Sequence, residues 1–390
     1  MGARCSSLVS PKSPSYGDLP SEILDLVIAW LPEPADRACA RAVSRSWHSA
    51  VRRHGPQPWR LPCVMAAVRR RGPIPWWLLS AMAAVCRIRR LALDADCVGS
   101  TNDWLAVRVG QEHKYLLHNP FFNKTVPLAE LEAVIVHDES FIYKLLMRSG
   151  VDDFTAIITN NRMYAFMVIW PGKGVWLPQP WTRPYIDIVD FAFLQGKLYA
   201  LTNADELIPF DLALDGEEKP VVTMGRRLIK QPHGPDVWPP EQQVAPTPNG
   251  TTIHNCSTYV GGPYNDPHLI SRHLIESQGK LLMVRHHKKI RPDMRFGALY
   301  FTIRVEVFEA DTYTGVWMPV TGGLGGGQAL FISVNFSKSI TAPCGEVEED
   351  AIYFMGTGEV FDLKSGTCRP SRMCRNLGLC TWIFHPELVI

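Results

Sequence analysis

Gly322-Gly323-Leu324-Gly325-Gly326-Gly327 is the stretch whose backbone amides could gather round a phosphate. Such a cradle needs a helix opening behind it and a Lys-Ser/Thr pair to reach the phosphates. Here an apolar run from Gln328 reads as a strand, so the expectation is a flexible turn between strands. Asp266-Pro267-His268 with His273 has metal-ligating residue types, and His286-His287-Lys288-Lys289 is polar enough to hold an anion. Neither has the short, regular spacing of a zinc site. No Gly-x-Ser-x-Gly elbow anchors a Ser/His/Asp arrangement. The residues therefore predict a non-enzymatic chain, with no catalytic residue, cofactor or metal of its own.

One modification signal stands at the front. Met1-Gly2-Ala3-Arg4-Cys5-Ser6 fits the M-G-x-x-x-[ST] pattern for N-myristoylation, with Cys5 placed for a second acyl chain. A single myristoyl chain holds a membrane only marginally, so attachment needs Cys5 or nearby basic charge as well. Gly2 and Cys5 are the candidate lipidation sites, and membrane association is expected only through them.

The chain that must position any site has 390 residues, 46% of them hydrophobic and 20% charged, enough for a small module and one large domain. No run of eighteen apolar residues predicts a membrane span, and the polar, proline-interrupted MGARCSSLVSPKSPS lacks a signal-peptide core. Ten cysteines without a CxxC pair read as reduced thiols. Charge is uneven: residues 1–90 hold 14 Lys and Arg against 5 Asp and Glu, a net of +9, which leaves −7 on the rest. Arg69-Arg70-Arg71 lacks the interleaved aromatics of single-strand binders, so no nucleic acid is expected.

Two patterns divide the chain. In Asp18–Val51 the apolar residues Ile23, Leu24, Val27, Ile28 and Leu31 form a helical stripe, with Pro20 in the first turn and Pro32 and Pro34 stopping it. A second short helix is expected from about Asp36, and a third with Val43, Trp47, Ala50 and Val51 on one face. So small a unit buries little area and needs a partner. From about Leu61 short alternating strands take over, among them Trp104–Val109, Ala156–Ile158, Met163–Ile169, Lys197–Leu201, Lys280–Val284, Leu299–Phe308 and Ala351–Met355. Gly174-Val175-Trp176-Leu177-Pro178 returns as Gly315-Val316-Trp317-Met318-Pro319, and Gln195-Gly196-Lys197-Leu198 as Gln278-Gly279-Lys280-Leu281. These spacings bracket one four-stranded propeller blade. The expected fold is a small three-helix module followed by an all-β domain, a β-propeller of six or seven blades. The expected divisions are a flexible 1–15, a helical module over 16–56 and the propeller over 57–390, with a Pro-rich insertion at 232–250.

Both parts resemble known families. The order Leu19-Pro20, Ile23-Leu24, Leu31-Pro32, then Val43-Ser44-Arg45 with Trp47 resembles the F-box, the module that docks substrate receptors onto SCF-type ubiquitin ligases. Asp103-Trp104-Leu105, Asn119-Pro120-Phe121, Val189-Asp190-Phe191 with Gly196-Lys197-Leu198-Tyr199, Ser333-x-Asn335-x-Ser337-x-Ser339 and Trp382-x-Phe384 resemble the KIB-type β-propeller of plant F-box proteins. Together the resemblances imply a substrate-recognition subunit. Leu19, Pro20, Ile23, Leu24, Leu31, Pro32, Val43, Ser44 and Trp47 would bind a Skp-type adaptor, and through it a cullin, while the propeller holds a client protein. Alternatives are a scaffold or membrane-tethered regulator acting without ubiquitination, and a propeller enzyme. The resemblance also implies a plant protein in the cytoplasm or nucleus.

Overall fold

The computed structural model describes residues 19–29, 43–53, 63–67, 76–80, 85–87, 95–109, 114–132, 142–159, 163–230, 257–260, 268–290, 300–342, 347–371 and 380–384, with Ala40 and Val134. Gly2, Cys5, Leu31, Pro32, Asp266 and the insertion 232–250 lie outside the described residues. The chain divides into two compact units, Met1–Arg60 and Leu61–Ile390.

In the first unit, helix α1 (Ser21–Ala29) starts where the Pro20 carbonyl accepts the amides of Ile23 and Leu24, both at 3.1 Å. Helix α2 (Arg45–Arg53) is capped by Ser44, whose Oγ accepts the Trp47 amide at 3.4 Å. Leu24 and Ile28 of α1 bury against Ala40, Ala50 and Val51, with Leu19 and Trp47 packed on the rim. Arg53 pairs with Asp25 at 2.9 Å and ties the two helices together. Ala40 is helical and buried, and the rest of the expected middle helix lies outside the described residues.

The second unit is built from sheets that are antiparallel except for one strand pair. Strands β1 (Cys63–Ala67), β2 (Trp76–Ser80) and β3 (Val85–Arg87) come first. The first blade follows as β4 (Ala95–Thr101), β5 (Trp104–Val109), β6 (Lys114–Asn119) and β7 (Lys124–Pro127), with a turn of helix α3 (Ala129–Glu132) behind it. The second blade is β8 (Ile142–Met147), β9 (Thr155–Thr159), β10 (Phe166–Trp170) and β11 (Gly174–Trp176). The third is β12 (Ile188–Leu194), β13 (Lys197–Thr202), β14 (Leu207–Leu214) and β15 (Pro220–Met224). The fourth has five strands, β16 (Ser257–Val260), β17 (His268–Ser277), β18 (Lys280–Ile290), β19 (Tyr300–Asp311) and β20 (Val316–Pro319). The fifth, β21 (Gln328–Ile332), β22 (Ser337–Thr341), β23 (Ala351–Phe354), β24 (Glu359–Asp362) and β25 (Thr367–Pro370), is irregular: β22 folds back along one side of β21, and β23 pairs parallel to the other. The last strand, β26 (Cys380–Ile383), returns to pair with β1.

The expectation of six or seven blades is corrected here. Among the described residues, five blades are joined in order by four apolar side-chain layers. The remaining sheet, β26-β1-β2-β3, gathers strands from both ends of the unit, and its first three strands are described by their backbone ladder alone. It serves as the closing sheet, and a seventh sheet is absent among the described residues. The even spacing of the repeats misled because insertions lengthen the units: residues 95–370 are 276 residues over five blades, about 55 each.

Apolar layers between neighbours hold the ring together. Trp104, Tyr115 and Leu117 pack on Leu145, Ile157 and Met167. Phe166 meets Phe210 at 5.5 Å and Trp176 at 6.1 Å. Trp317 joins the layer between the third and fourth blades and donates its indole N–H to the Asp205 carbonyl at 2.7 Å. Both Trp residues of the Gly-Val-Trp repeat thus lie on outermost strands and pack against a neighbouring blade. The Gln-Gly repeat makes the tight hairpins: Gln195 and Gly196 have φ of 51° and 77°, Gln278 and Gly279 51° and 76°.

Candidate functional site

In the helical unit the structure separates the predicted docking residues by role. Leu24 is 1% exposed and belongs to the unit's own core, while Leu19 and Trp47 are half-buried on its rim. Ser44 is spent on capping α2. Pro20 is exposed, and among the described residues of this unit the large apolar side chains left in solvent are Ile23 at 44%, Leu26 at 59% and Val43 at 56%. Ile23 and Leu26, three residues apart, share one side of α1. Leu26 escaped the sequence reading, although its i+3 spacing from Ile23 was available as a signal. Val43 precedes α2 instead of lying on its buried face, which distinguishes it from Trp47, Ala50 and Val51.

In the propeller the polar residues converge near the axis, where the sequence reading named none as a site. Lys144 on β8 donates to the Asp190 carboxylate on β12 and, at 2.8 Å, to Ser337 Oγ on β22. Asp190 also accepts the amides of Phe191 at 2.7 Å and Leu274 at 2.8 Å. Ser337 donates in turn to the Leu274 carbonyl at 3.3 Å. Four blades therefore meet in one network. Burial raises the Asp190 carboxyl above its usual range, and Lys144 with the two amides opposes that rise. With every oxygen engaged, this carboxylate is a pin between blades and is poorly placed to move protons. A recess beside it is lined by Lys144, Asp190, Arg272, His273, Val334 and Phe336. Burial, with Lys288 and Lys144 adding to it, holds His273 well below the usual imidazole range, so it stands neutral.

The other chemical candidates resolve into structure. The Gly322–Gly327 loop wraps a carboxylate: Asp350 accepts the amides of Leu324 at 2.5 Å and Gly325 at 3.3 Å and pairs with Lys364 at 2.8 Å. Two of its amides are thereby used, and a strand follows instead of a helix. His286 is buried, stacks on Phe354 at 3.8 Å and hydrogen-bonds Thr302 at 2.9 Å; burial holds it well below its ordinary pKa. His287 bonds Glu306 at 3.0 Å. Only the backbone of His268 is described. Among the described residues no group of three or more His, Cys, Asp or Glu could hold a metal ion. No helix among them is long and apolar enough to cross a membrane.

The polar motif residues mostly bond within their own blade. Asn119 Oδ1 accepts the amides of Phe121 and Phe122, both at 3.0 Å, and its Nδ2 donates to Asp103 at 2.6 Å. Ser333 Oγ donates to Asn335 at 3.0 Å, and Ser339 Oγ to Gln328 at 2.9 Å. The exceptions are Asp190 and Ser337, which build the axial network. An acid between Val189 and Phe191, and a Lys inside Ile-Tyr-Lys-Leu-Leu-Met, were the signals that could have found it.

Comparison with known proteins agrees with this anatomy. A model described as F-box-like matches residues 16–64, and one described as the KIB1-4 beta-propeller matches residues 79–378. No curated protein matches the chain. Among solved structures, "Crystal Structure of the N-terminal Domain of Nup159" is 10% identical, covering 61% of this chain and 69% of that one, at a TM-score of 0.28. The F-box is an adaptor module for protein–protein interaction, and its match covers both helices and the exposed Ile23, Leu26 and Val43. The propeller match spans most of the chain and includes the five packed blades, from which it follows that this protein belongs to the KIB1-4 beta-propeller family and carries an F-box-like domain in front of it.

Proposed function

We propose that this protein is the substrate-recognition subunit of an SCF-type ubiquitin ligase. The observation that carries the reading is an F-box-like domain with Ile23, Leu26 and Val43 in solvent, joined in one chain to a propeller. Burying these side chains against a Skp-type adaptor gives the small unit the partner its size calls for. The adaptor binds a cullin, and the propeller holds the client. The subunit itself is non-catalytic: it raises the effective concentration of a client lysine beside a charged ubiquitin-conjugating enzyme. It acts in the cytoplasm or nucleus, and acylation of Gly2 and Cys5 is the route by which it would reach a membrane.

The test is co-purification of the full chain with a Skp-type adaptor and a cullin, comparing wild type, Leu19→Ala/Pro20→Ala and Ile23→Asp/Val43→Asp. Capture of both partners by the wild type and loss in both variants is the expected result. A folded wild type that captures no adaptor overturns the reading. Adaptor capture without cullin-dependent ubiquitination of any bound client leaves a scaffold instead.

A further inference from the structure

The fourth blade stands proud of the third on one face. The β13–β14 turn of the third blade ends at Asp205, which takes Arg272 at 2.7 Å and Arg285 at 2.6 Å. Arg272, Arg285 and Glu306 are direct neighbours across β17, β18 and β19, so this row faces the third blade. The β17–β18 ladder then continues past Arg272↔Arg285 for four more pairs, from Ser271↔His286 to His268↔Lys289. Two residues further along each strand, Ile270, His287 and Arg304 form the next row on the same face. A bulge between His287 and Lys288 follows, after which Lys289 lies opposite Phe301.

This ledge is cationic. Residues 269–271, 286–290 and 300–304 contain Lys288, Lys289 and Arg304 and no Asp or Glu. Glu306 alone accepts from His287 at 3.0 Å and Arg304 at 2.5 Å and lies 3.9 Å from Arg285, so one carboxylate serves three cationic or imidazole groups. Neighbouring cations hold Glu306 below its usual range, with the His287 hydrogen bond the largest influence. The Arg304 side chain is 67% exposed and Ile303 is 45% exposed. A guanidinium has five N–H donors, and Glu306 uses few of them.

We propose that the ledge of Ile270, His287, Lys289, Phe301 and Arg304 is where the propeller takes its client, and that it recognises an acidic segment with interspersed apolar side chains. Arg304 holds a carboxylate of that segment bidentately while Ile303 and Phe301 take its apolar residues. This deepens the proposed function and rests on it for the word client. It also selects a working face, the one from which the fourth blade projects, over the face of the tight Gln195-Gly196 and Gln278-Gly279 hairpins.

The test measures binding of a short fluorescein-labelled peptide alternating Glu and Leu to the full-length chain by anisotropy, at low and at physiological salt. Wild type is compared with Arg304→Gln, Arg304→Glu/Lys289→Glu, and Lys280→Glu at the hairpin end of the same blade. The expected result is salt-sensitive binding weakened about tenfold or more by the double reversal, less by Arg304→Gln, and not by Lys280→Glu. Thermal melts of Arg304→Gln, which keeps a polar side chain and its Cβ–Cδ stem without the charge, guard against loss of fold. No binding by the wild type, or equal weakening by Lys280→Glu, overturns the proposal. So does tighter binding of a short DNA duplex that the same variants abolish. Adaptor capture is measured on every variant: its absence in the wild type defeats the ligase reading, whereas its persistence beside an indifferent peptide defeats only the ledge.

Discussion

Lys144 Nζ and the Asp190 carboxylate meet as a buried ion pair between the second and third blades, with side chains 8% and 4% exposed. The pair does not stand alone, since Leu274 and Ser337 bring the fourth and fifth blades to it. Lys144→Met leaves a buried carboxylate without its counter-charge and should cost about 3–5 kcal/mol. Urea unfolding of the propeller is the measurement, read as a lower midpoint. Lys144→Met/Asp190→Asn should recover part of the loss, because a neutral amide oxygen still accepts from a backbone N–H. Strict additivity of the two single substitutions would show that they do not act as a pair.

Much of the scaffold was legible along the chain, whereas the axial network was not. The hairpin at Gln195-Gly196 announces itself because its residues need positive φ, and the Gly-Val-Trp repeat because its large indole fills a gap between blades. Strand β5 fell where alternation placed it, while β10 starts at Phe166, three residues after the expected Met163. Lys144, Asp190, Leu274 and Ser337 lie on strands far apart in sequence, and their meeting depends on the register of four blades at once. The projection of the fourth blade was hidden for a related reason: the length of a ladder is set by both partners, and β17, β18 and β19 extend together.

Lys338 offers a pH test of the ring. It is half-buried, donates to Asn102 Oδ1 at 2.5 Å across to the first blade and lies over the Phe384 ring at 5.8 Å. Burial lowers its pKa from 10.5 to about 8, against the opposing pull of Asp103 and Glu276. Between those two values the folded chain holds fewer protons than the unfolded one, so this residue makes stability rise with pH across that window. Below about pH 8 the cost of the buried charge is present in full. Relative to Lys338→Met, the wild type should gain of order 2–3 kcal/mol from pH 8 to pH 10.5. Denaturation midpoints of both proteins across that range check it, and parallel curves would contradict the assignment.

Gly323 should resist replacement more than its place in a glycine run suggests. Its φ is 120°, and a Cβ there would lie 2.6 Å from an Asp350 carboxylate oxygen that already accepts two loop amides. Gly323→Ala combines backbone strain with displacement of Asp350 and should cost about 1–3 kcal/mol. Gly322→Ala, with nothing within 4 Å of its Cβ, meets only the strain of its positive φ and should cost less. Thermal melts of the two variants give the ordering.

Trp382 is the buried anchor of the last strand. Its ring meets Phe331 edge-on at 4.9 Å, its indole N–H donates to the Ile332 carbonyl at 3.4 Å, and it is 0% exposed. Trp382→Ala empties this layer and should cost about 3–5 kcal/mol. The loss falls where β26 returns to β1, so the ring should open there first. Hydrogen exchange would then quicken in β26 and in β21 before it quickens in β13, a core strand of the third blade. Uniform quickening across all blades would mean that the ring unfolds as one cooperative unit.

The helical unit allows stability and docking to be separated by two neighbouring residues. Leu24 is 1% exposed and sits against Ile28, Ala50 and Val51, so Leu24→Ala should destabilise the unit by about 2–5 kcal/mol. Ile23, one position earlier, is 44% exposed, and Ile23→Asp should leave helicity within about 0.5 kcal/mol of wild type. If α1 presents Ile23 and Leu26 to an adaptor, Ile23→Asp should abolish adaptor capture while the circular dichroism of the unit is unchanged. Leu24→Ala should lower both together, in proportion to the unfolded fraction, and added adaptor should raise its melting temperature by mass action. Full capture by Ile23→Asp would place the docking surface elsewhere on the unit, with Val43 the next exposed apolar residue to reverse.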